Sequence, residues 1–161
     1  MHYNPVAPSG PSLRPRDGLR TTSVLAFALM VAGLGVLIAN DAIFAARPVP
    51  IVIQAAAVVL MIAARMTFGR RSFHAAANPT EGGLVTRGPY AILRHPIYAA
   101  VLYFIWAAVV DHLSWMNAGA GVLVTAGAVT RMLIEEGMLK ARYPEYREYM
   151  KRTRRVVPYV L

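Results

Sequence analysis

The sequence predicts an all-α integral membrane protein with about four transmembrane helices. Three observations carry this reading. Hydrophobic residues make up 57% of the 161-residue chain and charged residues only 16%, against about 25% charged in an average soluble domain. The apolar residues gather into four long stretches, and a membrane helix needs roughly 20 of them in succession. The basic excess, 17 Lys and Arg against 8 Asp and Glu, falls almost entirely on one side of those stretches. A soluble domain this apolar would expose large greasy patches, and disorder requires low hydrophobicity. With no cysteine, disulfides, thiolate metal sites and a Cys nucleophile are excluded.

Residues 1–22 read as a polar tail, with Pro5, Pro8, Pro11 and Pro15 interleaved with arginines. Such a tail is expected to be mobile. The first apolar run is too long for the core of a cleaved signal. One membrane domain then occupies 23–161. Its first span, 23–46, is continuous until Asn40 and Asp41, and its second, 49–68, is interrupted mainly by Gln54. The third, 96–112, is the shortest, and the fourth, 115–140, turns polar after Thr130. Gly33, Gly35, Gly119, Gly121 and Gly127 suit close packing between membrane helices. Asn40, Asp41 and Asp111 fall where caps and turns at the outer ends belong.

Charge sets the orientation. With both termini cytosolic, the outer connections hold Arg47, Asp41 and Asp111 and no other charge. The remaining sixteen Lys and Arg lie inside, as the positive-inside rule requires. The protein is thus expected to be multi-pass, in the inner or plasma membrane if bacterial. The net charge of +9 reports topology and anionic headgroups, so no nucleic-acid partner is invoked. The outer connections are short, which leaves any chemistry to the connection 69–95 and the segment 135–161. His74 lies in that connection as a surface residue.

The connection ends in Gly82-Gly83-Leu84-Val85-Thr86-Arg87-Gly88-Pro89-Tyr90, then Arg94-His95-Pro96-Ile97-Tyr98. Pro89 and Pro96 each suit the first position of a helix, which makes Gly88 and His95 the expected caps. Tyr90 and Arg94 share a face if that stretch is helical. The fourth span ends with Arg131 and Glu135 as an i,i+4 pair, and Glu136 lies about 100° further round. Carboxylates at a membrane helix end need a partner. Tyr146 and Tyr149 follow on one face of a charged segment, as in an interfacial amphipathic helix. No Walker A, dinucleotide or HExxH metal motif is present.

Gly88-Pro89-Tyr90 followed by Arg94-His95-Pro96 and Tyr98 resembles the signature of the isoprenylcysteine carboxyl methyltransferase family, a group that includes phospholipid methyltransferases. Arg131, Glu135, Glu136 and Leu139 are similar to its second half, with Tyr143, Tyr146, Tyr149, Arg155 and Pro158 after them. Together these cover roughly residues 80–160. Ala100 stands where the family often has Gly, and Tyr143-Pro144 where it has Phe-Gly.

The resemblance implies a membrane-embedded enzyme that uses S-adenosylmethionine and releases S-adenosylhomocysteine. A cytosolic cofactor pocket would form from the loop before helix three and the C-terminal segment, with a lipophilic substrate entering from the bilayer lipids. By position, Tyr90, His95, Tyr98 and the chain around Leu84, Val85 and Gly88 would bind cofactor. Glu135 or Glu136 would bind or orient it. Arg94 and Arg131 would hold an anionic group of the substrate, and an amine acceptor would have to lose a proton, which Glu135 or Glu136 could accept. Carboxyl O-methylation of a prenylcysteine-like substrate leads; N-methylation of a lipid amine and S-methylation of a small thiol are the alternatives. A non-catalytic transporter or scaffold is the reading from another class. A transporter keeps polar residues at the midplane, where the sequence places only Gln54.

Overall fold

The computed structural model describes residues 14–68 and 84–157, with side chains described from Gly18 onward. The tail ahead of residue 14, His74, Gly82, Gly83 and Pro158 lie outside the described residues. The elements in order are α1 (Arg14–Ala39), α2 (Pro48–Phe68), a 3-10 turn (Gly88–Ala91), α3 (Pro96–Asp111), α4 (Trp115–Arg142) and α5 (Tyr146–Arg152). Residues Gly18–Ala39 of α1, together with α2 and α4, are long and apolar enough to cross a membrane, and α3 is a shorter apolar helix. The only extended pairing among the described residues is an isolated parallel bridge between Leu93 and Arg154.

The last three long helices fall where hydropathy places them. The first does not. α1 begins inside the expected tail, because a proline in a first helical turn costs no hydrogen bond. It ends at Ala39, before the apolar run does. Asp41 there adopts φ 51°, a left-handed turn that Asn and Asp tolerate and apolar residues do not. Residues 42–47 are therefore a connection and not the end of a span.

α1 packs on α4, α2 on α3, and α3 on α4. The shared core holds Leu37, Leu102, Ile105, Val109, Val124 and Met132. Two of the glycines make the α1–α4 approach possible. A Cβ on Gly33 would lie 2.6 Å from the Ala120 carbonyl, and one on Gly127 would collide with that of Ala26. Gly35 and Gly119 face open space, so small residues alone did not mark the contact. Val31, Ile38, Val52, Val59 and Ile62 point outward, as lipid-facing positions must.

At the end opposite the motifs, polar side chains hold the two connections. Gln54 Nε2 donates to the carbonyls of Ile43 at 2.9 Å and Phe104 at 3.3 Å, and its Oε1 accepts from the Ala45 N–H. Asp111 accepts from the Ala46 N–H at 2.5 Å and pairs with Arg47 at 3.0 Å. Asn40 donates to Asn117 at 2.8 Å. Gln54 thus satisfies the backbone of a connection and marks no pathway through the midplane.

Candidate active site

The site is assembled where the chain enters α3. Residues 92–95 are not helical, so their N–H and C=O groups need partners. The segment after α5 supplies them. Arg154 donates its N–H to Ile92, Arg94 to Arg154 and His95 to Arg155, at 3.0, 2.6 and 3.1 Å. His95 then precedes α3 without a side-chain cap, and Pro96 is the first helical residue, as expected. The other expected cap is displaced by one residue. Gly88 is itself the first residue of the 3-10 turn, and Arg87 precedes it as the cap. Gly88 has φ +58°, and a Cβ there would sit 2.7 Å from Thr67 Oγ1 at the end of α2. Glycine is required at this contact on both counts. The rings of Phe68 and Tyr90 stack at 5.5 Å beside it. Leu84 and Val85 are half-buried on the extended chain approaching the turn.

α5 lies against this junction, and its tyrosine face is turned inward rather than toward a lipid interface. Tyr146 and Tyr149 are buried. The Tyr149 hydroxyl donates to the Tyr90 carbonyl at 2.7 Å. Burial, first of all, pushes the Tyr90 and Tyr146 hydroxyls upward and Tyr149 up to about 12. These phenols therefore stay neutral at physiological pH. The Tyr146 hydroxyl and His95 Nε2 are buried without a hydrogen-bond partner.

Two carboxylates on adjacent residues of α4 meet different surroundings. Glu136 is sealed at 1% exposure. It accepts from Arg94 Nε at 3.0 Å and from Arg155 Nε and Nη2 at 3.2 and 3.0 Å. His95 Nε2 lies 3.4 Å from the same carboxylate. The hydrogen bond to Glu136 also raises the Arg155 guanidinium above its ordinary value. Arg94 further donates to the carbonyls of Met150 and Thr153. Glu135 keeps 25% of its side chain exposed. It accepts from the Tyr98 hydroxyl at 2.5 Å, and Tyr98 accepts from Arg131 Nε at 2.9 Å. Arg131 is buried one turn deeper and donates from Nη1 to the Ser23 carbonyl and hydroxyl, both at 3.2 Å. Its guanidinium lies over the Phe27 ring at 5.5 Å.

The fold thus gathers Tyr90, Arg94, His95, Tyr98, Arg131, Glu135 and Glu136 at one end of the bundle. Leu84, Val85 and Gly88 precede Tyr90 on the same stretch of chain. Three participants received no role from the sequence. Arg155 closes the Glu136 network, Ser23 anchors Arg131, and Thr67 seats Gly88. Arg155 stood in the motif; Ser23 and Thr67 carry no local signal beyond being polar residues at the ends of apolar runs.

Fold and site together define an integral-membrane helix bundle with a charged network buried at one end. The phospholipid methyltransferase family model matches residues 22–146. The chain belongs to that family, and membership makes it a membrane protein of methyltransferase type. No curated protein and no solved structure matches the chain.

Proposed function

We propose that this protein transfers a methyl group from S-adenosylmethionine to a nucleophile on a lipophilic acceptor, at the network around Glu135. The carrying observation is the contrast between the carboxylates: Glu136 is sealed by two guanidinium groups, while Glu135 is half-open and oriented by Tyr98. The donor set fits this cofactor. Glu135 is suited to its ammonium group, and Arg155, with 42% of its side chain exposed, to its carboxylate. His95, whose Nε2 faces Glu136 at 3.4 Å, lies between the two carboxylates. Tyr90, Tyr98 and the chain through Leu84, Val85 and Gly88 complete the surroundings. When bound, the cofactor supplies the electrophilic methyl group.

The protein's part is positioning and exclusion of water, since methyl displacement from a sulfonium gains most from alignment. Arg131 positions Glu135 both through Tyr98, holding the phenol against it, and by its own ion pair at 3.9 Å. Arg94 is a positioning residue. Its guanidinium ties α4 and the segment after α5 to the entrance of α3. Both arginines are therefore engaged by protein partners, which favours a nitrogen acceptor over a carboxylate that would need them. The acceptor approaches from the bilayer.

Calorimetry of S-adenosylhomocysteine on the detergent-purified protein tests the cofactor assignment. Methyl transfer to vesicles of an aminophospholipid, compared with a farnesylated cysteine, tests the acceptor. Absence of homocysteine-nucleoside binding overturns the reading, and faster transfer to the carboxylate overturns the choice of nitrogen.

A further inference from the structure

A groove of about 640 Å³ lies between α2 and α3, at the end of the bundle away from the charged network. Val49 and Ile53 form one wall, and Tyr103, Trp106, Ala107 and Val110 the other. Its size is within the range of about 300–1,000 Å³ seen for small-molecule sites. The walls are fixed. Trp106 donates to Thr125 Oγ1 at 3.0 Å, and the Tyr103 hydroxyl donates to the Val156 carbonyl. Ala107, only 5% exposed, supplies little bulk. A groove lined this way offers water few hydrogen-bond partners along its walls.

The mouth is charged. Arg47 lies there beside Pro48, with its side chain 67% exposed. Nε pairs with Asp111 at 3.0 Å and Nη2 donates to the Asp111 carbonyl at 2.5 Å. Nη1 remains for an anion. The guanidinium marks the headgroup level of that leaflet, where basic side chains attract anionic groups. From Val110 back to Tyr103 the groove follows α3 for about 10 Å. A guanidinium at the mouth of an open apolar groove matches a phosphate with a hydrocarbon chain below it. Val110, at the mouth, is about 21 Å from Pro96 along the helix axis, so a phosphate held on Arg47 lies far from the charged network.

We propose that the groove binds one phospholipid of this leaflet, with an acyl chain between α2 and α3 and its phosphate on Arg47. The inference is independent of the methyl-transfer reading. Full-length protein, reconstituted with phosphatidylglycerol and released from mild detergent in a native mass spectrum, is expected to retain one phospholipid. Val110→Trp adds bulk at a lip that is 59% exposed and is expected to reduce the retained fraction about tenfold, or 1.4 kcal/mol. Ala107→Phe fills the floor and should do the same. Because Val110 faces outward, its variant remains informative if Ala107→Phe fails to fold. Arg47→Gln should lose phosphatidylglycerol while diacylglycerol retention stays unchanged. Equal retention in wild type and Val110→Trp overturns the proposal, as does a dimer in place of the lipid adduct. Diacylglycerol bound as well as phosphatidylglycerol by the wild type overturns the phosphate contact.

Discussion

Replacing Glu136 with Gln should damage the fold, while the same change at Glu135 should damage cofactor binding. Glu136 accepts three charge-assisted hydrogen bonds, from Arg94 Nε and from Arg155 Nε and Nη2. Glutamine keeps one oxygen and points an NH2 group at a guanidinium donor. Removing one partner of a buried ion pair costs about 3–5 kcal/mol. The lower end applies, because Arg155 is half-exposed and turns to water, whereas Arg94, with 8% of its side chain exposed, does not. A loss of about 3 kcal/mol lowers Tm by roughly 6–12 °C in a chain of this size. Melting followed by circular dichroism in mild detergent measures it. Glu135→Gln keeps a hydrogen-bond acceptor for Tyr98 and loses the 3.9 Å ion pair with Arg131, a loss of about 1 kcal/mol that lowers Tm by only about 2–4 °C. Its affinity for S-adenosylhomocysteine should fall at least about tenfold, or 1.4 kcal/mol. Equal melting temperatures for the two variants, or intact cofactor affinity in Glu135→Gln, would refute the division of labour between the carboxylates.

Tyr98→Phe removes the hydroxyl that links Arg131 to Glu135. Methyl transfer should fall about tenfold in kcat/KM, and a value within twofold of wild type would show that Glu135 needs no orientation. Arg131→Lys keeps the charge but loses the planar fork that serves Tyr98 and Ser23 together. Activity should drop by a similar factor, while homocysteine-nucleoside affinity changes much less. Gly88→Ala should cost at least about 1–2 kcal/mol from its left-handed backbone alone, with the clash against Thr67 added; an unchanged melting curve would contradict that geometry. For topology, cysteine at Ser114 should react with an impermeant thiol reagent in intact cells and cysteine at Arg147 should not. The reverse pattern would invert the protein in the membrane.

Hydropathy and charge were sufficient for the helices themselves. A bilayer imposes a length on each span, so α2, α3 and α4 were legible as composition; spacing brought Arg131 and Glu135 forward as a pair, and the resemblance implied roles for His95 and Tyr98. The end of α1 was not, because a single left-handed turn at Asp41 outweighed the apolar residues after it. Nor does a local pattern say which partner a charged group will meet. The helical period sets Glu135 and Glu136 about 100° apart but does not say what each will meet. Only packing brings Arg94 and Arg155 onto one carboxylate and Tyr98 onto the other. Ser23 reaches Arg131 only because Gly127 and Gly33 let α1 lie against α4. The tyrosines of α5 read as an amphipathic face, and that face is turned inward where the segment after α5 pairs with residues 92–95. Sequence period reports which residues share a side of a helix, and the long-range hydrogen bonds of an irregular junction decide what that side meets.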